Sequence, residues 1–72
     1  MIKFEKGQVY KNEDDNIFIK GINGEMVKFI EGYSPLALHD MQEIPAENLE
    51  IYINKWGYKR CSKGMKENEV NI

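Results

Sequence analysis

Asn23-Gly24 separates two runs of strand-forming residues, Ile17-Phe18-Ile19-Lys20-Gly21-Ile22 and Glu25-Met26-Val27-Lys28-Phe29-Ile30-Glu31, and no other feature constrains the chain as strongly. A two-residue primed turn needs positive φ at its centre, and Asn-Gly tolerates this best, so the spacing predicts a tight antiparallel hairpin. With the two-residue period of a strand, Ile17 and Ile19 share one face and Phe18 lies on the other beside Lys20. On the return strand Val27 and Phe29 share a face opposite Met26, Lys28 and Ile30. Apolar weight on both faces predicts a sheet that curls on itself or is covered on both sides.

The chain has 72 residues, and a domain this short buries only roughly 60% of the surface its unfolded chain exposes. One domain over 1–62 is expected, with 63–72 a disordered tail because Gly64, charges and asparagines follow there without a period. Apolar residues at 42% and charged residues at 31% exclude a wholly disordered chain. The single Cys61 leaves no internal disulfide, and one Cys with one His cannot make a structural zinc site. Neither a cofactor nor a metal is expected. A core of this size rarely nets more than about 3 to 5 kcal/mol, so a homodimer covering an exposed sheet face is a plausible supplement. No apolar run reaches the roughly 20 residues of a membrane span, and Met1-Ile2-Lys3-Phe4-Glu5 lacks the layout of a secretion signal. A soluble, cytoplasmic protein without membrane contact is the expectation.

Elsewhere the sequence predicts a short strand at Val9-Tyr10, a polar loop at Asn12-Glu13-Asp14-Asp15-Asn16, and a break at Gly32-Tyr33-Ser34-Pro35. A third partner strand is expected at about 38 to 43, with Leu36, Leu38 and Ile44 pointing inward. Over 45–56 two templates compete. As a helix opened by Pro45, Leu49, Tyr52, Ile53 and Trp56 fall at i, i+3, i+4 and i+7, with Gly57 where a helix stops. As a strand, 50–54 alternates after one 3₁₀ turn, but Trp56 is left unexplained. The helix is preferred. Tyr58-Lys59-Arg60-Cys61 reads as a last short strand, which makes the fold class α+β: a small, strongly curved antiparallel sheet of four or five strands with one helix.

Phe4-Glu5-Lys6-Gly7-Gln8-Val9-Tyr10, the Asn23-Gly24 hairpin and Ile44-Pro45-Ala46-Glu47-Asn48-Leu49 together resemble the small Src-homology-like (SH3-like) barrel proteins, many of them short proteins of phages and mobile elements. The likeness covers roughly residues 4 to 53 and lies in the rhythm of the strands. It implies a strongly bent sheet of about five strands in proteins that bind other macromolecules and do not catalyse. A helix over 45–56 departs from that pattern and bears on whether the barrel closes.

Candidate chemistry is sparse. His39-Asp40 with Ser34 invites a hydrolase reading, but neighbours on a strand point to opposite faces, which favours an exposed histidine without a catalytic part. Glu13-Asp14-Asp15-Asn16 offers hard oxygen ligands without the glycine and distal glutamate of a calcium loop, so a solvated hairpin tip is expected. Cys61 between Arg60 and Lys63 has cations that would favour the thiolate, yet no base or oxyanion site accompanies it. Gly21, Gly24 and Gly32 match no nucleotide-binding spacing. An enzyme is not expected.

Charge is unevenly spread. Residues 1–54 hold five lysines against ten acids, whereas Lys55, Lys59, Arg60, Lys63 and Lys66 face only Glu67 and Glu69 in 55–72. Two functional expectations follow. The first is a non-enzymatic binding module, most sharply a phage-type inhibitor or accessory protein. Its acids Glu13, Asp14, Asp15, Glu43, Glu47 and Glu50 would face a basic surface on a protein partner such as a nucleic-acid-handling enzyme. The second is a protein that grips nucleic acid or an anionic nucleotide with Lys55, Trp56, Tyr58, Lys59 and Arg60, cations for phosphates and rings for bases. Against the second, Trp56 completes the helix stripe, and an acidic body repels duplex DNA.

Overall fold

The computed structural model describes residues 2–61. Its strands are β1 (Val9–Lys11), β2 (Asn16–Asn23), β3 (Met26–Glu31), β4 (Gln42–Pro45) and β5 (Lys59–Arg60), and its helix is α1 (Ala46–Lys55). All pair antiparallel in one sheet of order β4-β3-β2-β1-β5. The sheet is open, with β4 and β5 as its edges. It does not close into a barrel: β4 and β5 do not pair with each other, and α1 lies in the chain between them.

The expected hairpin forms, but its turn is displaced by one residue. Asn23 pairs with Met26, so Gly24 and Glu25 make the loop, and Gly24 supplies the positive φ of +61°. The reason is parity. A turn centred on Asn23-Gly24 with unbroken pairing would set Ile19 opposite Lys28, mixing the apolar faces of the two strands. Instead Ile17 faces Glu31 and Ile19 faces Phe29, and a bulge at Lys20 absorbs one residue before Gly21 pairs with Lys28.

Both faces are covered, as the two-sided pattern predicts. On one, Ile17, Ile19, Val27 and Phe29 pack with Phe4, Tyr10 and Tyr58 beneath Leu49 and Ile53 of α1. On the other, Val9, Phe18 and Ile30 form a smaller cluster against which Ala37 and Cys61 pack. The 32–41 segment is tied there by Lys20, whose Nζ donates to the Pro35 carbonyl at 2.9 Å.

Four expectations are corrected. No strand runs from 38 to 43. Leu38–Asp40 is a 3₁₀ turn, and β4 starts at Gln42. Leu36 and Leu38, expected inward, are 69% and 61% exposed. The local turns explain this: Ser34 Oγ accepts the Leu36 N–H and the Leu36 carbonyl accepts that of Leu38, while buried Pro35 and half-buried Ala37 face the core. The helix is present, but Pro45 caps it in an extended conformation (φ −57°, ψ 140°) and does not open its first turn. Its apolar stripe ends early. Leu49 and Ile53 are buried, whereas Trp56 is 55% exposed. The Trp56 N–H closes the helix on the Tyr52 carbonyl, and Gly57 at φ +71° turns the chain so that Tyr58 enters the core instead. The tail expected over 63–72 lies outside the described residues.

Candidate functional site

The loop joining β1 and β2 is built by its own side chains. Asn12 Oδ1 accepts the N–H groups of Asp14 (2.9 Å) and Asp15 (2.8 Å), and Asp15 Oδ1 accepts that of Asn16 (2.9 Å). Two distant segments brace the loop. Asn12 Nδ2 donates to the Trp56 carbonyl at 2.9 Å, and the Tyr33 hydroxyl donates to the Asp14 carbonyl at 2.6 Å. An open concavity of about 360 Å³ results, lined by Lys11, the residues 12–16 and Tyr33. Glu13 and Asp14 are exposed at its rim, and the Tyr33 ring is 80% exposed.

The other expected acids do not join this group. Asn12 abuts the C-terminal end of α1, whereas Glu47 lies in the first turn, and a 10-residue helix separates its ends by about 15 Å. Glu50 Oε1 accepts the Ile2 N–H at 2.7 Å and so ties the N-terminal lead-in to the helix. Glu43 stands opposite Lys28 across β3 and β4. Glu13, Asp14 and Asp15 alone make one surface.

Sequence reasoning missed one further carboxylate, Glu31. Glu31 accepts two phenol hydroxyls on one oxygen, Oε2: Tyr52 at 2.5 Å and Tyr58 at 2.6 Å. The two rings stack with centroids 5.9 Å apart. Hydrogen bonding to the Glu31 carboxylate, then burial, pushes the Tyr52 phenol up to about 12. Burial first, then the Glu31 bond, pushes Tyr58 up as well, and the Asp15 carboxylate adds to both. The signal was in the period: Glu31 continues the alternation of Val27 and Phe29 and so falls on the face beneath α1.

The basic aromatic set divides. Lys55 Nζ lies 5.5 Å from the centroid of the exposed Trp56 ring, and Lys59 and Arg60 are exposed on edge strand β5. Tyr58, expected among them, is 6% exposed and bound to Glu31, so its ring offers no stacking surface. Register sets Lys59 opposite Lys11 and Arg60 opposite Tyr10.

His39 and Asp40 do approach each other, contrary to expectation, with Nε2 and Oδ2 3.5 Å apart. The 3₁₀ turn replaces the strand geometry that would have parted them. Both are well exposed, and Ser34 Oγ serves its own turn. Cys61 is half-buried against the smaller cluster, with its N–H on the Val9 carbonyl at 2.9 Å. Among the described residues no group of three His, Cys, Asp or Glu side chains is arranged to hold a metal, and no helix is long and apolar enough to cross a membrane. No family model matches the chain, and no curated protein or solved structure matches it either.

Proposed function

We propose that this protein is a non-enzymatic binding module, built on a bent SH3-like sheet, that works by occupying the surface of another protein. The braced tip of the β1–β2 hairpin is the part that makes contact. One observation carries the reading: Glu13, Asp14 and Asp15 rim a concavity whose loop is held by internal bonds and by Tyr33. A loop already held in shape loses little conformational freedom on binding. Exposed tyrosine beside carboxylates suits lysine or arginine side chains, which pair with the acids and lie on the ring. The partner is therefore a protein with a basic surface, and the sharpest form of the reading is a phage-type inhibitor or accessory factor covering the basic groove of a nucleic-acid-handling enzyme.

Calorimetric titration with an oligoarginine peptide at two salt concentrations tests this. The unaltered chain binds, more weakly at high salt, and the double variant Glu13→Lys, Asp14→Lys binds at least about tenfold more weakly, as expected when charge-assisted contacts are lost. Equal affinity of the two proteins removes the reading.

A second reading, contact with nucleic acid or an anionic nucleotide, is favoured by the opposition of Lys11 and Lys59 beside Arg60 and by the exposed Lys55–Trp56 pair. Salt-dependent retention on a phosphorylated resin, lost in Lys59→Glu, supports it. Flow-through at low salt excludes it.

A further inference from the structure

A second cleft lies on the helix-covered face, between α1 and strands β3 and β4. It encloses about 280 Å³ and is lined by Phe29, Glu31, Gln42, Ile44, Asn48 and Tyr52. The register explains the grouping. Phe29 and Glu31 alternate onto one face of β3, Gln42 pairs with Phe29, and Ile44 pairs with Val27 on that same face. Asn48 and Tyr52 stand one helical turn apart on α1 and supply the opposite wall.

Its chemistry is unbalanced. The ring of Phe29 and the side chain of Ile44 are apolar, and one carboxylate stands among them. Glu31 Oε2 takes both phenols, and among the described residues no lysine or arginine pairs with this carboxylate. Asp15 lies close enough to act on the same two tyrosines, so a second negative charge adds to the field. A half-buried carboxylate with hydrogen-bond donors but, among the described residues, no counter-charge favours a cation beside it.

We infer that this cleft is a binding site for an organic cation with an apolar stem, an alkylammonium group whose chain lies along Phe29 and Ile44 while its head meets Glu31. The amide oxygens of Gln42 and Asn48 are the further acceptors for its N–H groups. A volume of 280 Å³ is small beside typical drug-sized sites and fits a single side chain or a short amine. The lining of the cleft shares no residue with the hairpin tip, and the tip variant Glu13→Lys, Asp14→Lys leaves Asp15 in place, so either can fail without the other.

The test is a heteronuclear NMR titration of the full chain with n-butylammonium, with n-butanol as the neutral match, and with a capped peptide bearing one lysine. Butylammonium should shift the resonances of Phe29, Gln42, Ile44 and Asn48 to saturation, at least about tenfold more tightly than butanol. Glu31→Gln should cost a similar factor while its thermal midpoint stays close to that of the unaltered chain, because the amide oxygen still accepts both phenols. Tighter binding of the peptide identifies the source as a partner's lysine, and tighter binding of butylammonium identifies a free amine. Butanol binding as well as the amine, an unchanged affinity in Glu31→Gln, or shifts confined to other residues overturns the inference.

Discussion

Glu31 joins β3 to α1 and to the chain after it, because one of its oxygens holds hydroxyls from Tyr52 and Tyr58. Glu31→Ala leaves two phenols without their acceptor, and unsatisfied polar groups of this kind cost about 1 to 3 kcal/mol each when buried. Tyr58 is buried and Tyr52 half-buried, so a loss of about 2 to 4 kcal/mol is expected from urea midpoints, against less than about 1 kcal/mol for Glu31→Gln. The same bonds set an alkaline limit. The Tyr52 phenol is raised from 10.0 to about 12, so the folded state binds its proton more tightly than the unfolded state does. The stability this contributes is whole below pH 10 and is lost as pH rises from 10 toward 12. Denaturant midpoints measured across that range should fall, and in Tyr52→Phe the fall should be smaller. An equal fall in both proteins would show that the Tyr52 bond does not govern it.

At the scale of elements, α1 depends on two side chains. Leu49 and Ile53 are fully or almost fully buried, while Ile51 on the outer surface is 61% exposed. Leu49→Ala should cost about 2 to 5 kcal/mol and leave little folded protein by circular dichroism, whereas Ile51→Ala should change stability by less than about 0.5 kcal/mol. Gly57 ends the helix at φ +71°, where any side chain is strained, so Gly57→Ala should cost about 1 kcal/mol. The exposed loop before β4 behaves oppositely. Leu36→Ser and Leu38→Ser together should stay within about 0.5 kcal/mol of the unaltered chain, a result that inward-facing leucines could not give.

Over the whole molecule, a thin sheet is sealed on both faces by unlike covers, a helix on one and an irregular loop on the other. The strands are shared, so neither cluster can lose its packing without loosening the other. Phe18→Ala, on the loop-covered face, should therefore destabilise by about 3 to 5 kcal/mol, much as a helix-face truncation does, and unfolding should remain one transition. Trp56 fluorescence and far-ultraviolet circular dichroism report on different parts of the molecule, so coincident curves support this coupling and separated curves refute it.

Strand existence was readable because period-two alternation needs only neighbours: Ile17, Ile19, Val27 and Phe29 fall on one face and Phe18 with Ile30 on the other. The helix was readable from the spacing of Leu49, Tyr52 and Ile53, and its end from Gly57. Local pattern also located the acidic tip, since the side chains of Asn12 and Asp15 accept backbone N–H groups of their own loop, as short polar side chains in turns do. Three things were decided only by tertiary structure. The bulge at Lys20 and the turn at Gly24-Glu25 arise from matching the faces of two strands, a condition neither strand contains alone. Trp56 lies outside and Tyr58 inside because a core of fixed volume takes the ring that the turn at Gly57 delivers to it. The cleft around Glu31 exists because α1 packs beside β3 and β4, bringing together residues of three elements between 29 and 52. Periodicity assigns each side chain to a face, and only the packing of the elements determines which faces meet.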